Sequence, residues 1–350
     1  MIRKNQGAIA KKAAPASSFS DHERKGVIRK YWCKPQLKML SDGLKKKLIY
    51  IGLPDIEALD VLEWIDYLDK VIAFQCSEYI PGVKIDVSKL VSLLEDLERQ
   101  NKIKSGFVYE GFIEDILMGG MSKNGGQTYS QNDFMKVYNL DFCSNLKYPR
   151  KIVNAKGQII ESIHKTEVID RLLEFQRNIK SDVVGRKFIM YITVNTNFFI
   201  GDLTSIKEPN IKSYYKKIVS KTNKPEVLAS RQLKAYCFHT IGEIFKKHDF
   251  HVEFLPPVFY LGSENKKETA VKLKTQFHRM MTFTILGTKR EGKDLLFEQD
   301  VKEFLDRKFI YATDTKIDCF NDVIEETSYT ADTLEILKSS YTFKNFWNSK

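Results

Sequence analysis

Polar side chains follow the fourth of the strands that the sequence predicts. The run over residues 134–142 (FMKVYNLDF) contains Asn139 and Asp141, and Cys143 and Asn145 come directly after it. Ligands of α/β sheets bind beyond the carboxyl ends of parallel strands. There, Asp141 can act as general acid or base, or anchor a substrate beside the two asparagines. Cys143 can act as a thiolate nucleophile, although a lone buried cysteine is more often a small core residue.

Three other strand ends carry candidate binding residues. The first predicted strand, LIYIGLP, ends in Gly52 and Pro54, the second, VIAFQ, ends in Gln75, and the third, GFVYEGF, is followed by Glu114 and Asp115. Proline and acidic residues also suit the first turn of a helix, where proline needs no donor and an acid favours the dipole. Both interpretations, ligand contact and plain helix start, remain open for these residues.

The elements that must position these residues alternate between strand and helix. Two later strands follow one another without a helix between them. Such alternation predicts an α/β fold with a Rossmann-like, seven-stranded and mostly parallel sheet, and the late pair predicts an antiparallel edge hairpin. The predicted strands cover residues 48–54, 71–75, 106–112, 134–142, 187–195, 250–262 and 280–289.

The chain divides into a central domain with additions at both ends. Residues 1–20 lack hydrophobic periodicity and predict a flexible basic tail. Residues 21–290 predict the α/β domain, which opens on a basic helix and contains a basic insertion at 201–234. Residues 291–350 are predicted to form a helical C-terminal extension.

Positive charge is concentrated in two segments. Of the net charge of +11, residues 1–47 carry +10 and residues 201–234 carry +5, which leaves −4 on the rest of the chain. Two basic segments on a nearly neutral body predict contact with a polyanion such as nucleic acid, or with an acidic partner subunit. Lys45, Lys46 and Lys47 are the candidate phosphate contacts. The alternative is that these lysines only keep the segments soluble.

Composition narrows the class of protein further. With 43% hydrophobic residues, the 350-residue chain can bury a substantial core, which excludes wholesale disorder. The five cysteines form no CxxC pair, which favours reduced thiols in the cytoplasm and disfavours a structural zinc site. No apolar run is long enough for a membrane span, and the N-terminus does not resemble a secretion signal.

Five strand–helix units followed by a hairpin resemble the class I S-adenosylmethionine-dependent methyltransferases. The resemblance implies S-adenosylmethionine as the cofactor. It implies that Gly52 and Pro54 lie beside the methionine part, that Gln75 stands where the family has an acid for the ribose hydroxyls, and that Glu114 or Asp115 faces the adenine amino group.

The sequence departs from the methyltransferase pattern at two of these places. Only one glycine remains in the turn after the first strand, and Gln75 is a weaker ribose acceptor than a carboxylate. The fourth strand end also lacks the prolines of amino-directed DNA methyltransferases. The basic helix with Tyr31 and Trp32, the strand after it and the strand end at Asp141 are similar to those of the three-Cys-motif partner proteins.

Three hypotheses follow from these residues. The chain is an S-adenosylmethionine-dependent methyltransferase that acts on nucleic acid, or a catalytically degenerate methyltransferase fold that binds nucleic acid or scaffolds a larger complex. The third is a nucleotide-using enzyme of another class on a similar sheet, since a fold does not dictate a reaction.

Overall fold

The structure is a computed structural model, and it leaves several of the predicted segments undescribed. The predicted tail, Cys143 and all but one residue of 201–224 lie outside the described part of the chain. The described residues are 23–80, 83–119, 128–142, 144–153, 158–180, 186–196, 213, 225–261, 279–290, 309–312, 317–320 and 328–330.

Strands and helices alternate through the described residues, as the sequence predicts. The strands are β1 Leu48–Gly52, β2 Leu68–Gln75, β3 Glu78–Ile80, β4 Val83–Lys84, β5 Ser105–Glu110, β6 Val137–Asp141, β7 Arg150–Val153, β8 Ile159–Ile163, β9 Lys187–Asn195, β10 Phe250–Phe254, β11 Val258–Leu261, β12 Arg279–Lys289, β13 Phe309–Ala312, β14 Ile317–Phe320 and β15 Ser328–Thr330. The helices are α1 Glu23–Val27, which continues through a π-helical segment Ile28–Cys33 into α2 Lys34–Leu44, then α3 Leu59–Trp64 with a 3₁₀ turn Ile65–Tyr67, α4 Ser88–Arg99, α5 Ile113–Gly119, α6 Lys165–Asn178 and α7 Pro225–Lys247.

The main sheet has the mostly parallel order that the sequence predicts. Its central strands run β5–β2–β1–β6–β9–β12, and the first five are parallel to one another. Strand β12 is antiparallel to β9 and pairs on its other side with both β10 and β11. Strands β10 and β11 therefore act as one strand interrupted near Pro256 and Pro257, since proline cannot donate to a ladder. The α/β fold class and the antiparallel hairpin are confirmed.

The C-terminal segment differs from the predicted helical extension in the residues that the structure describes. Strand β13 pairs in parallel with β11, and β14 and β15 continue the sheet antiparallel. The hairpin is thus not the edge of the sheet. The segments FIYA and IDCF contain aromatic and β-branched residues that favour strands, and the edge of β11 offers backbone partners to them. The backbone N–H of Ile310, for example, donates to the carbonyl of Pro257 over 3.1 Å.

Helix α4 shows how the sequence docks a helix on the sheet. Leu90, Leu94 and Leu97 recur at the spacing of one helix face, and all three are buried. A Cβ atom at Gly106 of β5 would lie 2.7 Å from the Cβ of Leu94. The glycine therefore allows the helix to approach the strand closely.

The N-terminal helices belong to the core rather than to an appendage. The side chain of Trp32 is fully buried, and its indole N–H donates to the hydroxyl of Thr284 on β12 over 2.8 Å. Trp32 shares a hydrophobic cluster with Trp64 and Tyr191 on one face of the sheet. A second cluster, which includes Tyr138 and helix α6, covers the opposite face. The predicted N-terminal helix is confirmed from residue 23 onward, and it packs as part of the main core.

Candidate functional site

The carboxyl ends of the parallel strands bring most of the predicted site residues to one edge of the sheet. Gly52 at the end of β1 is in register with Asn139 of β6. Gln75 at the end of β2 is in register with Glu110, the last residue of β5. Because all four strands point the same way, these residues line a single edge. We call it the carboxyl edge.

The end of β1 is filled by side chains of the protein itself. The Tyr50 hydroxyl donates to the Asp60 carboxylate over 2.5 Å, and the side-chain amide of Asn139 donates to the same oxygen over 2.6 Å. Tyr50 is fully buried and Asp60 is 6% exposed. A Cβ atom at Gly52 would lie 2.5 Å from the Tyr50 hydroxyl and 2.6 Å from the Asn139 carbonyl oxygen. We call Tyr50, Asp60 and Asn139 the tyrosine cluster.

Burial favours the protonated form of the Tyr50 phenol. It raises the pKa of Tyr50 well above the usual value for a phenol, and the charge of Asp60 raises it further. The phenol therefore keeps its proton and donates its hydrogen bond. Sequence reasoning missed both residues. The available signals were that Tyr50 shares a strand face with Gly52, and that Asp60 is an acid beside the apolar residues of α3.

The turn after β1 is longer than a plain strand-to-helix junction. The alternative interpretation, in which a helix starts at Pro54, is wrong, because α3 begins at Leu59. The backbone N–H of Ala58 donates to the carbonyl of Asp55 over 2.8 Å, and Ala58 has a φ of 44°. This left-handed residue closes the turn before the helix starts. Pro54 is a buried member of the turn.

The ends of β2 and β5 form the next part of the edge. The Gln75 side-chain amide donates to the carbonyl of Cys76 over 3.3 Å. Directly after β5, Gly111 has a φ of 145°, and its N–H donates to the Gln75 carbonyl over 2.9 Å. Glycine is required for such a backbone conformation. It leaves no side chain at the point where β5 turns towards α5.

The first turn of α5 holds the two predicted acids, and Asp115 already has a partner. Both oxygens of Asp115 accept from the guanidinium of Arg150, each over 2.7 Å. The Arg150 guanidinium also lies 3.4 Å from the centre of the Phe112 ring. This bidentate, stacked geometry neutralises Asp115 and fixes the start of α5. Arg150 was not predicted as a site residue.

Glu114, the neighbouring acid, is instead buried. Its side chain is 7% exposed, and burial raises its pKa, against the opposing charges of Lys165 and Arg150. Lys165 is 5% exposed and donates to the Tyr148 carbonyl over 2.6 Å, and burial lowers its pKa. Two neighbouring acids therefore have different electrostatic surroundings. Lys165, like Arg150, is a residue that the sequence did not single out.

Asp141 at the end of β6 is held by the N-terminal helix. The ammonium of Lys25 lies 2.5 Å from its carboxylate, and the two side chains are 17% and 20% exposed. A polar group at a strand end that is largely but not completely covered is suited to meet a ligand.

Cys143 lies outside the described residues. Asn145 is 4% exposed, and its side-chain oxygen accepts from the backbone N–H of Lys147 over 2.9 Å, so it caps a turn.

The predicted phosphate contacts Lys45, Lys46 and Lys47 are not at the carboxyl edge. They directly precede β1, so they lie at its amino end, about 16 Å from Gly52 along a five-residue strand. Lys46 and Lys47 instead line a cavity of about 480 Å³ at the opposite edge of the sheet. Parallel strands all begin at one edge of the sheet and end at the other, so these lysines lie at the opposite edge from Asn139 and Asp141.

The described part of the chain contains no group of three or more His, Cys, Asp or Glu side chains placed to hold a metal ion. None of the helices described is both long and apolar enough to cross a membrane.

Comparison with known proteins gives structural matches only. No known protein family and no curated protein match the sequence. An rRNA methylase of Streptococcus thermophilus is 11% identical, with a TM-score of 0.32. The match covers 73% of this chain and 96% of the methylase. An arsenic(III) S-adenosylmethionine methyltransferase of Chlamydomonas reinhardtii is 9% identical, with 85% of this chain covering 84% of it and a TM-score of 0.33. A Streptococcus mutans protein solved in complex with SAH is 13% identical, with coverages of 74% and 97% and a TM-score of 0.29.

Proposed function

We propose that the chain is an S-adenosylmethionine-dependent methyltransferase that acts on nucleic acid and binds its cofactor along the carboxyl edge. The observation that carries this proposal is the strand order, in which Gly52, Gln75 and the start of α5 share one edge with Asp141. In open α/β sheets this edge, at the point where strand order reverses, is the ligand-binding crevice. That point lies between β1 and β6.

The adenosine part of the cofactor fits the ends of β2 and β5. Gly111 offers backbone without a side chain, and the Gln75 amide can bond a ribose hydroxyl. Glu114 and the Arg150-bound Asp115 lie in the next turn, where the adenine amino group would be met. When bound, the cofactor supplies a methyl group activated on a sulfonium. Asp141, held by Lys25, would accept a hydrogen bond from the methyl acceptor.

The space proposed for the methionine part of the cofactor contains a side chain in this structure. At Gly52 the Tyr50 phenol occupies the volume that a glycine turn would leave to the cofactor. We infer that this phenol turns away from Gly52 when the cofactor binds. Rotation would uncouple one donor from Asp60, while Asn139 keeps its bond to the carboxylate.

A second candidate function is supported by the same tyrosine cluster. In the described structure the Asp60 carboxylate already accepts two hydrogen bonds, and Asp115 is paired with Arg150. A strand edge whose polar groups satisfy one another resembles a core more than a ligand site. The alternative is therefore a degenerate methyltransferase fold that binds nucleic acid, or scaffolds a complex with partner subunits, without using the cofactor.

Calorimetric titration with S-adenosylmethionine and S-adenosylhomocysteine separates the two candidates. The enzyme proposal predicts micromolar binding that weakens about tenfold in Gln75→Ala, because one ribose hydrogen bond is lost. Gln100→Ala, at an exposed glutamine that ends α4, is the matched control. Gly52 is unsuitable as a test position, because even a methyl group there would displace the tyrosine cluster. If neither compound binds, the result favours the degenerate subunit.

The nucleic-acid part is tested through the salt dependence of DNA and RNA binding. Phosphate contacts steepen the fall of affinity with salt. The truncation should end at residue 22, because Trp32 and its neighbours belong to the core. If removal of residues 1–22, which include Arg3, Lys4, Lys11 and Lys12, leaves the salt slope unchanged, those residues do not contact phosphates.

A further inference from the structure

The amino edge of the sheet carries lysines at the starts of several parallel strands. Lys47 precedes β1, Lys104 precedes β5 and Lys136 precedes β6. Because the strands are parallel, these starts meet at one edge, opposite the carboxyl edge. Lys46 and Lys180, from the segments before β1 and after α6, complete the set.

These five lysines line one cavity of about 480 Å³, which we call the lysine pocket. The other lining residues are Ile49, Asp69, Asp133 and Phe134. Five ammonium groups against two carboxylates leave the pocket with a surplus of positive charge. The two carboxylates are also engaged, Asp69 with Lys104 over 3.0 Å and Asp133 with Lys70 over 2.8 Å. A concave cationic surface focuses the field on an anion.

Two of the pocket lysines, Lys136 and Lys47, are held by contacts with the rest of the protein. The backbone N–H of Lys136 donates to the Ile49 carbonyl, and its own carbonyl accepts from Ile189, each over 2.9 Å. Its side chain is 3% exposed, with the ammonium 4.3 Å from the centre of the Phe134 ring. The Lys47 ammonium donates to the Lys102 carbonyl over 3.1 Å. Lys136 and Lys47 therefore lose less side-chain entropy when an anion binds than unrestrained lysines would.

We propose that the lysine pocket binds a phosphoryl anion of nucleotide size, with the ammonium groups of Lys46, Lys47 and Lys180 contacting its phosphates. Its volume falls in the usual range for small-ligand pockets, roughly 300–1,000 Å³. It is larger than a single phosphate needs. The proposal does not depend on cofactor binding at the carboxyl edge, since the pocket lies at the other end of the strands.

The test measures binding of inorganic tripolyphosphate to the full chain by calorimetry. The wild-type protein should bind it, and the double variant Lys46→Glu, Lys180→Glu should bind at least about tenfold more weakly. The matched control is Lys38→Glu with Lys89→Glu, which makes the same charge change at two exposed lysines outside the pocket. Because all four positions are exposed, both double variants should fold, which circular dichroism checks.

Two further probes distinguish the source of the phosphates. One outcome is that ATP binds as tightly as tripolyphosphate, and that the protein binds oligonucleotides with a 5′-phosphate and with a 5′-hydroxyl equally well. That outcome indicates a free nucleotide as the ligand. Tighter binding of the 5′-phosphorylated oligonucleotide, lost in Lys46→Glu, Lys180→Glu, indicates the end of a nucleic-acid strand. The proposal is overturned if the wild-type protein does not bind tripolyphosphate, or if the control double variant loses as much affinity. The titration is made without S-adenosylmethionine, so failure of the cofactor proposal leaves this result unaffected.

Discussion

The Tyr50 hydroxyl donates a 2.5 Å hydrogen bond to the buried carboxylate of Asp60, directly beside Gly52. This one contact links β1 to the helix that follows it, and it lies where we propose that the methionine part of the cofactor binds. We therefore expect it to matter both for the stability of the fold and for cofactor binding.

Replacing Tyr50 with phenylalanine should destabilise the protein by about 1.5–3 kcal/mol, because a buried hydrogen bond to a carboxylate is lost. Chemical denaturation measures the change in the free energy of unfolding. Tyr148→Phe is the control, since that side chain is 58% exposed, and its effect should stay below about 0.5 kcal/mol. Equal effects of the two variants would mean that the contact to Asp60 does not stabilise the fold.

Arg150→Lys should destabilise the protein by about 1 kcal/mol, because lysine can neither bond both oxygens of Asp115 nor stack flat on Phe112. The pair is partly exposed, at 28% and 34%, so solvent screening limits the loss. The matched control is Arg99→Lys, whose pair with Asp96 is 72% and 51% exposed. We expect no measurable change in the control. If Arg99→Lys lowers the stability as much as Arg150→Lys does, the bidentate and stacked geometry of Arg150 adds no stability of its own.

The buried acid Glu114 should make stability depend on pH. Burial raises its folded-state pKa, so between its usual value of 4.5 and that raised pKa the folded state binds more proton than the unfolded state. Stability contributed by this group is therefore present at low pH and lost as pH rises through the window. Glu114→Gln should become more stable relative to wild type as pH rises from about 4 to 7. Denaturation midpoints at several pH values measure this trend.

The control for the pH experiment is Glu161→Gln, at an exposed position of β8. Its stability difference from the wild-type protein should stay constant over the same range. A Glu114→Gln curve that runs parallel to the wild-type curve would show that Glu114 does not titrate in this window.

Asp141→Asn should lower methyl transfer to nucleic acid by about 100-fold while leaving S-adenosylhomocysteine affinity within about threefold. The reason is that we propose Asp141 as the group on the acceptor side of the edge, where it would accept a proton or hydrogen bond from the methyl acceptor. Incorporation of tritiated methyl groups measures the rate, and calorimetry measures the affinity. Asp66→Asn, at an exposed position of the 3₁₀ turn Ile65–Tyr67, should change neither. A parallel loss of rate and affinity in Asp141→Asn would place that carboxylate on the cofactor instead.

Much of the sheet could be predicted from the sequence because buried parallel strands are continuous apolar runs. The runs LIYIG and FIMYITV correspond to β1 and most of β9, and their order along the chain dictates which residues end at the carboxyl edge. Gly52, Gln75 and Asp141 were placed on this basis. Local hydrophobic pattern and strand direction were sufficient for that step.

The arrangement of side chains at the edge could not be predicted in the same way. Asp60 and Tyr50 are ten residues apart, and Lys25 and Asp141 are 116 apart, so their contacts depend on tertiary packing. Lys45, Lys46 and Lys47 were predicted as phosphate contacts from charge alone, and their position before β1 assigns them to the amino end of the strand. The strands β13 and β14 were missed because four-residue segments carry little periodicity of their own and depend on the exposed edge of β11.

Hydrogen–deuterium exchange with and without saturating S-adenosylhomocysteine tests whether the cofactor binds at the carboxyl edge. We expect slower exchange in peptides that cover residues 50–60, 75–80 and 110–117, the ends of β1, β2 and β5, and unchanged exchange in residues 94–101 at the end of α4. Unchanged exchange in all three strand-end peptides would contradict cofactor binding at the carboxyl edge.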